Sequence, residues 1–180
     1  DSVEFRPFPE ADARVNALLS DQIQAMHANG ASQIMALEDA AEAGDIALVE
    51  SGEYPEVSYG LLNTAKPPFD NPLARQAAAA AVDLDELQTV INLDKLPKAN
   101  GPFGPGAIGY LEDTGFPEHD IEKAKDLLAQ YEAETGEPLE FTFTVQNTPD
   151  VVATAQLVQS QAEKVGVKVK NIRLVEGDHD

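Results

Sequence analysis

Serines, histidines and carboxylates are the side chains that could carry out catalysis or hold a metal here, because the sequence contains no cysteine. A catalytic site needs a nucleophile, an acid or base, and a group that stabilises developing charge. No serine stands in the glycine-flanked context of a nucleophile elbow. His27, His119 and His179 are far apart, whereas histidine metal sites favour pairs three or four residues apart. Carboxylates are so numerous that chance pairs are expected. The sequence therefore predicts no enzyme, no metal site and no cofactor.

Polar side chains that could bind a small molecule follow a predicted strand. Gln146, Asn147 and Thr148 stand between the alternating segment Leu139–Gln146 and a helix that begins at Pro149. In open α/β sheets, ligands bind beyond the carboxyl ends of the strands. The three side chains are therefore candidate ligand-binding residues. The alternative is that they cap the following helix, and the sequence does not choose between the two.

A second candidate lies in the glycine- and proline-rich stretch Gly101–Gly109. A phosphate-binding loop would end in Gly-Lys-Ser or Gly-Lys-Thr, which is missing, and its prolines remove amide donors. The stretch instead predicts a rigid Ω-like crossing that carries Phe103 and Tyr110. These two aromatic side chains either pack within a structural connection or line a binding cleft, and we keep them as candidate ligand-binding residues.

Charge limits the classes of partner. The 180 residues include 12 lysines and arginines against 32 aspartates and glutamates, which gives a formal net charge of -20. Such a chain repels nucleic acids and anionic lipid surfaces, so neither is an expected partner. No apolar run reaches the roughly 20 residues needed to span a bilayer, so no direct membrane insertion of this segment is expected. No signal peptide is recognisable, and we expect the chain to be a segment of a longer protein.

The first third of the sequence predicts short strands alternating with two helices. One helix covers Asp12–Leu19, and another begins with Ser32 as its cap, turns Ile34, Met35 and Leu37 inward and stops at Gly44. Alternating or apolar segments predict four strands, at residues 3–8, 22–26, 46–49 and 57–63.

The remainder predicts helix, helix, strand, helix, strand. Asn71-Pro72 opens a long helix that contains five consecutive alanines and breaks near Asp83. Another helix follows His119-Asp120 and ends at Gly136. The strand Leu139–Gln146, a helix closed by Gly166, and the strand Val167–Val175 then form a βαβ unit with parallel strands. The predicted fold class is α/β, an open sheet flanked by helices.

An ordered set of short motifs resembles the family 5 extracellular solute-binding proteins, the peptide and nickel receptors of ABC importers. The set consists of Arg14-Val15-Asn16-Ala17-Leu18-Leu19-Ser20, Asn63-Thr64, Pro68-Phe69-Asp70, Arg75-Gln76-Ala77, Val82-Asp83-Leu84-Asp85-Glu86-Leu87, Gly101-Pro102-Phe103-Gly104-Pro105-Gly106, Gly109-Tyr110 and Glu122-Lys123-Ala124-Lys125-Asp126-Leu127-Leu128. No single motif is specific, but their order and spacing extend over nearly the whole chain.

The resemblance implies a two-lobed periplasmic-binding-protein-like fold in which the lobes close on a ligand. Residues 1–57 would be the end of the first lobe, residues 58–64 a crossing strand or hinge, and residues 65–180 the first part of the second lobe. Asn63 and Thr64 would order the hinge. Arg75 would be structural, pairing near Asp70. The implied function is to bind a solute, in the first instance a peptide, and deliver it to an ABC permease. The implied location is periplasmic or extracellular, with a lipid anchor on the parent left open.

One departure from the family bears on the ligand. The resemblance implies an arginine after the Leu139–Gln146 strand that holds the ligand's carboxylate, whereas Gln146, Asn147 and Thr148 include no cation. A bidentate guanidinium contact is therefore missing, which favours a neutral polar ligand such as an oligosaccharide, or a capped or longer peptide, over a dipeptide. A sensor or scaffold without transport activity also stays open, because a fold does not fix a function.

Overall fold

The computed structural model describes residues 2–51 and 57–175. The described residues divide into two compact units, one drawn from Asp1–Gly52 together with Asn92–Pro97 and the other from Glu53–Ile91 together with Lys98–Asp180. The first unit therefore includes a short segment that lies far along the chain, within the predicted second lobe. The correspondence between these units and the lobes of a binding protein stays a prediction.

The first unit is built on two helices, α1 (Ala11–Leu19) and α2 (Ala31–Glu42). Val15 of α1 and Leu37 of α2 are buried. The buried amide of Gln33 donates to the carbonyl of Ala11 at 3.1 Å, which ties the two helices together. Residues 92–97, the second segment of this unit, contact α2 through Lys95, whose Nζ lies 2.5 Å from Glu38 Oε2.

Two predictions about α2 were wrong. Gly30, not Ser32, is the N-cap, and no side chain caps this helix end. Met35 does not face inward, because 42% of it is exposed, whereas Leu37 is buried as predicted. Helical periodicity predicted the helix at the right place in the sequence, but it predicted the wrong set of buried side chains. Ala31, Gln33 and Ala40 are buried where larger side chains were expected.

The four strands predicted in the first third were also wrong. Residues 3–8, 22–26, 46–49 and 57–63 contain no strand. Alternation of apolar and polar residues favours an extended backbone, but a strand also needs a neighbour to satisfy its amide and carbonyl groups. Within the described ranges, the chain supplies no such neighbour to these segments. Residues 57–63 illustrate this, since Tyr59 and Leu61 are 76% and 86% exposed.

The second unit begins with two consecutive helices, α3 (Pro72–Ala81) and α4 (Leu84–Val90), and local sequence explains both starts. Asn71 Oδ1 accepts a hydrogen bond from Leu73 N at 2.8 Å, with Pro72 in the first turn. The predicted break at Asp83 is confirmed. Asp83 Oδ1 accepts from the amides of Asp85 and Glu86 at 2.9 and 3.0 Å, so Asp83, which follows the C-cap of α3, caps α4.

The other elements are α5 (Ile121–Thr135), β1 (Glu140–Gln146), α6 (Pro149–Val165) and β2 (Lys168–Val175). Asp120 caps α5, and both α5 and α6 end at a glycine with positive φ, 75° at Gly136 and 103° at Gly166. Glycine adopts this left-handed conformation without steric penalty, so it ends a helix efficiently. The strands β1 and β2 are parallel, which confirms the predicted βαβ unit.

The register of the two strands contains one irregularity. Phe141 pairs with Val169, but Thr142 pairs with Asn171, so Lys170 is an extra residue in β2. A bulge of this kind displaces the alternation of the strand. Val169 is buried and Ile172 is half-buried, whereas Lys170 and Asn171 between them are both exposed.

The core of the second unit is made of small side chains on α3 packed against α5 and α6, together with buried side chains of the sheet. Ala74, Ala77, Ala80 and Ala81 of α3 and Ala124 of α5 are completely inaccessible. Alanine brings two helix backbones close together, so the predicted close packing of the alanine run is confirmed. At the sheet, the rings of Phe69 and Phe141 lie 5.0 Å apart at a tilted angle. The remaining core residues are Leu127, Tyr131, Leu139, Ala162, Val165, Val167 and Val169.

An ion pair at the start of the sheet predicts a pH-dependent stability. Glu140 Oε1 accepts from Lys168 Nζ at 2.7 Å, and its Oε2 lies 2.9 Å from Lys170 Nζ. These hydrogen bonds lower the pKa of Glu140 below its ordinary value. A carboxyl with a lowered folded-state pKa stabilises the fold above its unfolded pKa, and this contribution is lost as the pH falls through the folded pKa.

We therefore expect the free energy of unfolding to fall less between about pH 6 and about pH 3 in Glu140→Gln than in the original chain. Urea unfolding at both pH values measures this difference. Glu137→Gln, which removes an exposed carboxylate just before the strand, controls for the loss of one negative charge. Equal pH dependence in Glu140→Gln and the original chain would contradict the role given to this ion pair.

Candidate ligand-binding site

The loop between β1 and α6 lies at the carboxyl edge of the parallel sheet. The amide of Asn147 donates to the carbonyl of Val175 at 2.9 Å, which holds the ends of β1 and β2 side by side. Gln146, Asn147 and Thr148 are all exposed at this edge. The structure thus gives these three residues the position that the sequence predicted, at the edge where ligands of open α/β sheets bind. Their contact with a ligand stays a prediction.

The alternative role of the same residues was to cap α6, and Thr148 tests it directly. Thr148 is the N-cap residue, and its carbonyl accepts from the amide of Val152 at 2.9 Å, but its side chain makes no capping hydrogen bond. The Thr148 hydroxyl is therefore not committed to the first turn of the helix. The start of α6 follows this loop directly, and a helix N-terminus favours polar acceptor groups of a ligand.

The two aromatic candidates lie on a closed loop. Phe103 is 49% exposed, and its ring lies against Gly109, where an added Cβ would come within 3.2 Å of the ring carbons. Gly109 has φ of +95°, so a larger residue would be strained there as well as crowded. Tyr110 is half-buried. The joint contribution of Phe103 and Tyr110 to one site with the loop after β1 stays a prediction.

The predicted hinge and helix-start residues make local contacts. Asn63 Oδ1 accepts from the amide of Ala65 at 3.1 Å, which begins the turn that contains Thr64. Arg75 Nη1 donates to the carbonyls of Phe69 and Asp70 at 2.7 and 3.0 Å. Arg75 thus binds the backbone before α3, at the place the sequence indicated. The acceptor at Asp70 is its carbonyl oxygen, and its carboxylate is not the partner that these hydrogen bonds use.

A cleft that none of these candidate residues lines was missed by the sequence analysis. A cleft of about 590 Å³ lies where α4, α5 and α6 meet, and its polar lining includes Asp83, Glu86, His119, Gln161 and Lys164. Gln161 is only 3% exposed. It accepts from Asp83 N at 3.0 Å and donates to Asp83 O at 3.2 Å and to Glu86 Oε2 at 2.7 Å.

Helix capping affects the pKa of an acidic side chain at this cleft. Hydrogen bonds from the amides of Glu86 and Asp85 lower the pKa of the Asp83 carboxyl, with smaller contributions from the charges of His119 and Lys98. Lys164 lies 3.8 Å from Glu86, and His119 Nδ1 lies 3.1 Å from the carbonyl of Ala80. The polar groups around the cleft thus bind the ends of helices. We interpret it as a structural junction.

The signal that could have revealed Gln161 is its place on α6. Ala162 and Val165 are buried beside it, and Val158 lies one turn earlier, so the apolar stripe of the helix includes one amide. A polar residue on a buried stripe requires a partner. The sequence does not say which partner, because the acceptor and donor lie 78 residues earlier.

Metal binding and membrane insertion receive no support from the described part of the chain. Over residues 2–51 and 57–175, no group of three or more histidine, cysteine or acidic side chains is arranged to hold a metal ion. No helix in those ranges is long and apolar enough to cross a membrane. The third histidine of the sequence, His179, lies outside the described residues.

Comparison with known proteins identifies the family. The family model of bacterial extracellular solute-binding proteins, family 5 (middle region), matches residues 1–178. This chain belongs to that family. The predicted resemblance is thereby confirmed over nearly its whole length. The family is one of solute-binding proteins.

Relatives of the chain include bacterial glutathione- and dipeptide-binding proteins. It is 31% identical over 175 residues to the glutathione-binding protein GsiB of Pectobacterium atrosepticum, covering 94% of this chain and 32% of the relative. It is 26% identical over 184 residues to the dipeptide-binding protein of Escherichia coli, covering 99% of this chain and 33% of the relative. The chain therefore spans about a third of the length of these relatives.

A solved structure shares the fold. The ABC transporter-associated periplasmic binding protein DppA from Helicobacter pylori, in complex with peptide STSA, superposes with a TM-score of 0.71 at 28% identity, covering 95% of this chain and 32% of that protein. The predicted fold class, an open α/β sheet flanked by helices as part of a two-lobed periplasmic-binding-protein-like fold, is confirmed.

Proposed function

We propose that the family 5 protein containing this chain is the solute-binding component of an ABC importer and that it delivers its ligand to a membrane permease. The observation that carries the proposal is the family match over residues 1–178, which includes the loop after β1. In keeping with the relatives, the protein would act in the periplasm or outside the cell, with or without a lipid anchor.

A peptide is the first candidate ligand. The similar proteins include a glutathione-binding protein, a dipeptide-binding protein and a structure in complex with peptide STSA. Peptides offer amide and carbonyl groups that Gln146, Asn147 and Thr148 can hydrogen-bond. Phe103 and Tyr110 would supply apolar surface for peptide side chains, as aromatic residues do in many ligand sites.

A neutral polar ligand is the second candidate, and the composition of the same loop favours it. Gln146, Asn147 and Thr148 present amides and a hydroxyl but no cation. Without a guanidinium in this loop, a free carboxylate loses the bidentate partner that would make its binding strong. A capped or longer peptide, or an oligosaccharide, does not depend on that partner.

Binding to the full-length protein tests the proposal. Native mass spectrometry of the protein purified from its own cells shows whether a ligand is bound, and calorimetry with dipeptides, tetrapeptides, amidated tetrapeptides and oligosaccharides measures affinity. We expect binding without turnover, and affinity for an amidated tetrapeptide at least equal to that for the free acid. A full-length protein that binds none of these ligands would contradict the transport role and favour a sensor or scaffold.

Substitutions in the loop after β1 test the site itself. We expect Gln146→Ala and Thr148→Ala in the full-length protein each to weaken binding by about 3- to 10-fold, the effect of losing one hydrogen bond. Thr142→Ala, which changes an exposed residue of β1 four positions before the loop, is the matched control and should leave the affinity unchanged. Unchanged affinity in both loop variants would remove this loop from the site.

A further inference from the structure

We propose that residues 100–116 form a preformed docking loop, and that Ile108, Leu111 and Phe116 bind a partner protein surface that presents apolar pockets ringed by lysine or arginine. The inference rests on the proposed function, under which this surface is the extracytoplasmic face of the permease. It goes beyond ligand binding, because it assigns to the chain a contact with the transporter.

Internal hydrogen bonds hold the loop in one shape. Asn100 Nδ2 donates to the carbonyls of Leu111 and Glu112 at 3.2 and 2.6 Å, so one side chain joins the two ends. The hydroxyl of Thr114 donates back to the carbonyl of Asn100. Gly101 allows the ends to approach, since a Cβ there would lie 2.7 Å from Thr114 Cγ2.

Turns within the loop add to this rigidity. The amide of Ala107 donates to Gly104 O at 3.1 Å, and the amide of Tyr110 donates to Ala107 O at 3.1 Å. The ring of Phe103 packs on Gly109. A loop ordered in advance loses little conformational entropy on binding, which is what a docking element requires.

Large apolar side chains of this loop are held in solvent. Ile108 is 100% exposed, Leu111 is 61% exposed and Phe116 is 53% exposed. Exposed apolar surface carries a free-energy cost in water, and three such side chains within residues 108–116 of one ordered loop indicate an interaction site. Phe103 and Tyr110 differ from these three residues. The ring of Phe103 packs on Gly109 and Tyr110 is half-buried, which is compatible with their separate role toward the ligand.

The negative charge of the loop indicates which kind of partner can bind it. Residues 99–118 contain no lysine or arginine and three acidic residues, Glu112, Asp113 and Glu118. A second copy of the chain is disfavoured because each copy has a formal net charge of -20, and an anionic lipid surface is disfavoured for the same reason. A basic rim around apolar pockets is complementary both to the carboxylates and to the exposed side chains.

The test uses the full-length protein with its permease reconstituted in proteoliposomes. Ile108→Asp and Phe116→Asp should each raise the concentration of ligand-loaded protein that half-maximally stimulates ATP hydrolysis by about tenfold or more, the effect of losing a hot-spot residue. Ligand affinity measured by calorimetry should stay the same. Val49→Asp, at an apolar residue of the other unit that is 88% exposed, is the control and should stimulate normally.

Three outcomes would overturn the inference. Normal stimulation by both aspartate variants would show that the loop does not contact the permease. Protection of Ile108, Leu111 and Phe116 from covalent footprinting in the full-length protein alone would show that other parts of that protein cover the loop. The third outcome is that the unsubstituted protein binds no ligand, or binds ligand but never stimulates the permease. The proposed function then fails, and the inference fails with it. In the first two outcomes the proposed function survives.

Discussion

Replacing Gln161 with methionine lowers the free energy of unfolding by about 1–3 kcal/mol, the usual penalty for leaving a buried polar group without its partner. Gln161 is 3% exposed and is the partner of both the amide and the carbonyl of Asp83. Methionine nearly conserves the volume, so the loss reports the hydrogen bonds and not a cavity. Urea unfolding of the chain measures the difference.

The matched control for this experiment lies on the same helix. Gln156→Met changes an exposed glutamine of α6 and should alter the free energy of unfolding by less than about 0.5 kcal/mol. Because Gln161 holds the residue that caps α4, amide hydrogen exchange in Leu84–Val90 should also accelerate in Gln161→Met. Equal stability of the two variants would show that the junction between α4 and α6 does not depend on Gln161.

Replacing Ala77 with leucine destabilises the second unit by about 1–3 kcal/mol, because added methylenes in a filled core force side chains and backbone apart. Ala77 is completely inaccessible, and it belongs to the face of α3 that packs against α5. The leucine would enter a contact that depends on small side chains, so the two helices would have to separate. Thermal or urea unfolding measures the loss.

Gln76→Leu provides the comparison for this second experiment. It places leucine at the exposed neighbouring position of the same helix, where nothing must move, so the free energy of unfolding should change by less than about 0.5 kcal/mol. A stable Ala77→Leu variant would mean that α3 and α5 can separate without cost. The alanine face would then not be what fixes their distance.

Helix boundaries were predictable where the signals are local. Asn71 followed by proline, Asp83, and the glycines Gly136 and Gly166 act through contacts within a few residues of themselves. The same holds for β1, whose alternation is strong and whose partner follows immediately in the chain. Helix and strand limits from α3 to β2 therefore agree with the sequence to within a few residues.

Strand pairing in the first third was not predictable from alternation, because pairing depends on a neighbour that the pattern does not identify. Residues 57–63 have the composition of a strand and no strand in the structure. The position of the candidate site was predictable, since Gln146–Thr148 follows from the order of β1 and α6. The structural role of Gln161 was not predicted. Its partner Asp83 lies far away in sequence, and periodicity alone does not explain an amide on an apolar stripe.

The extra residue Lys170 in β2 has a consequence for how homologous sequences should be compared. Strict alternation from Val169 would assign Asn171 to the interior, whereas the bulge places Ile172 there. A relative that is one residue shorter at this point can therefore keep the same interior side chains, and its alignment requires a gap opposite Lys170. An alignment without that gap would match Ile172, which is half-buried, with a residue that points to the other face of the sheet. Substitution patterns read from it would then report the wrong face of the sheet.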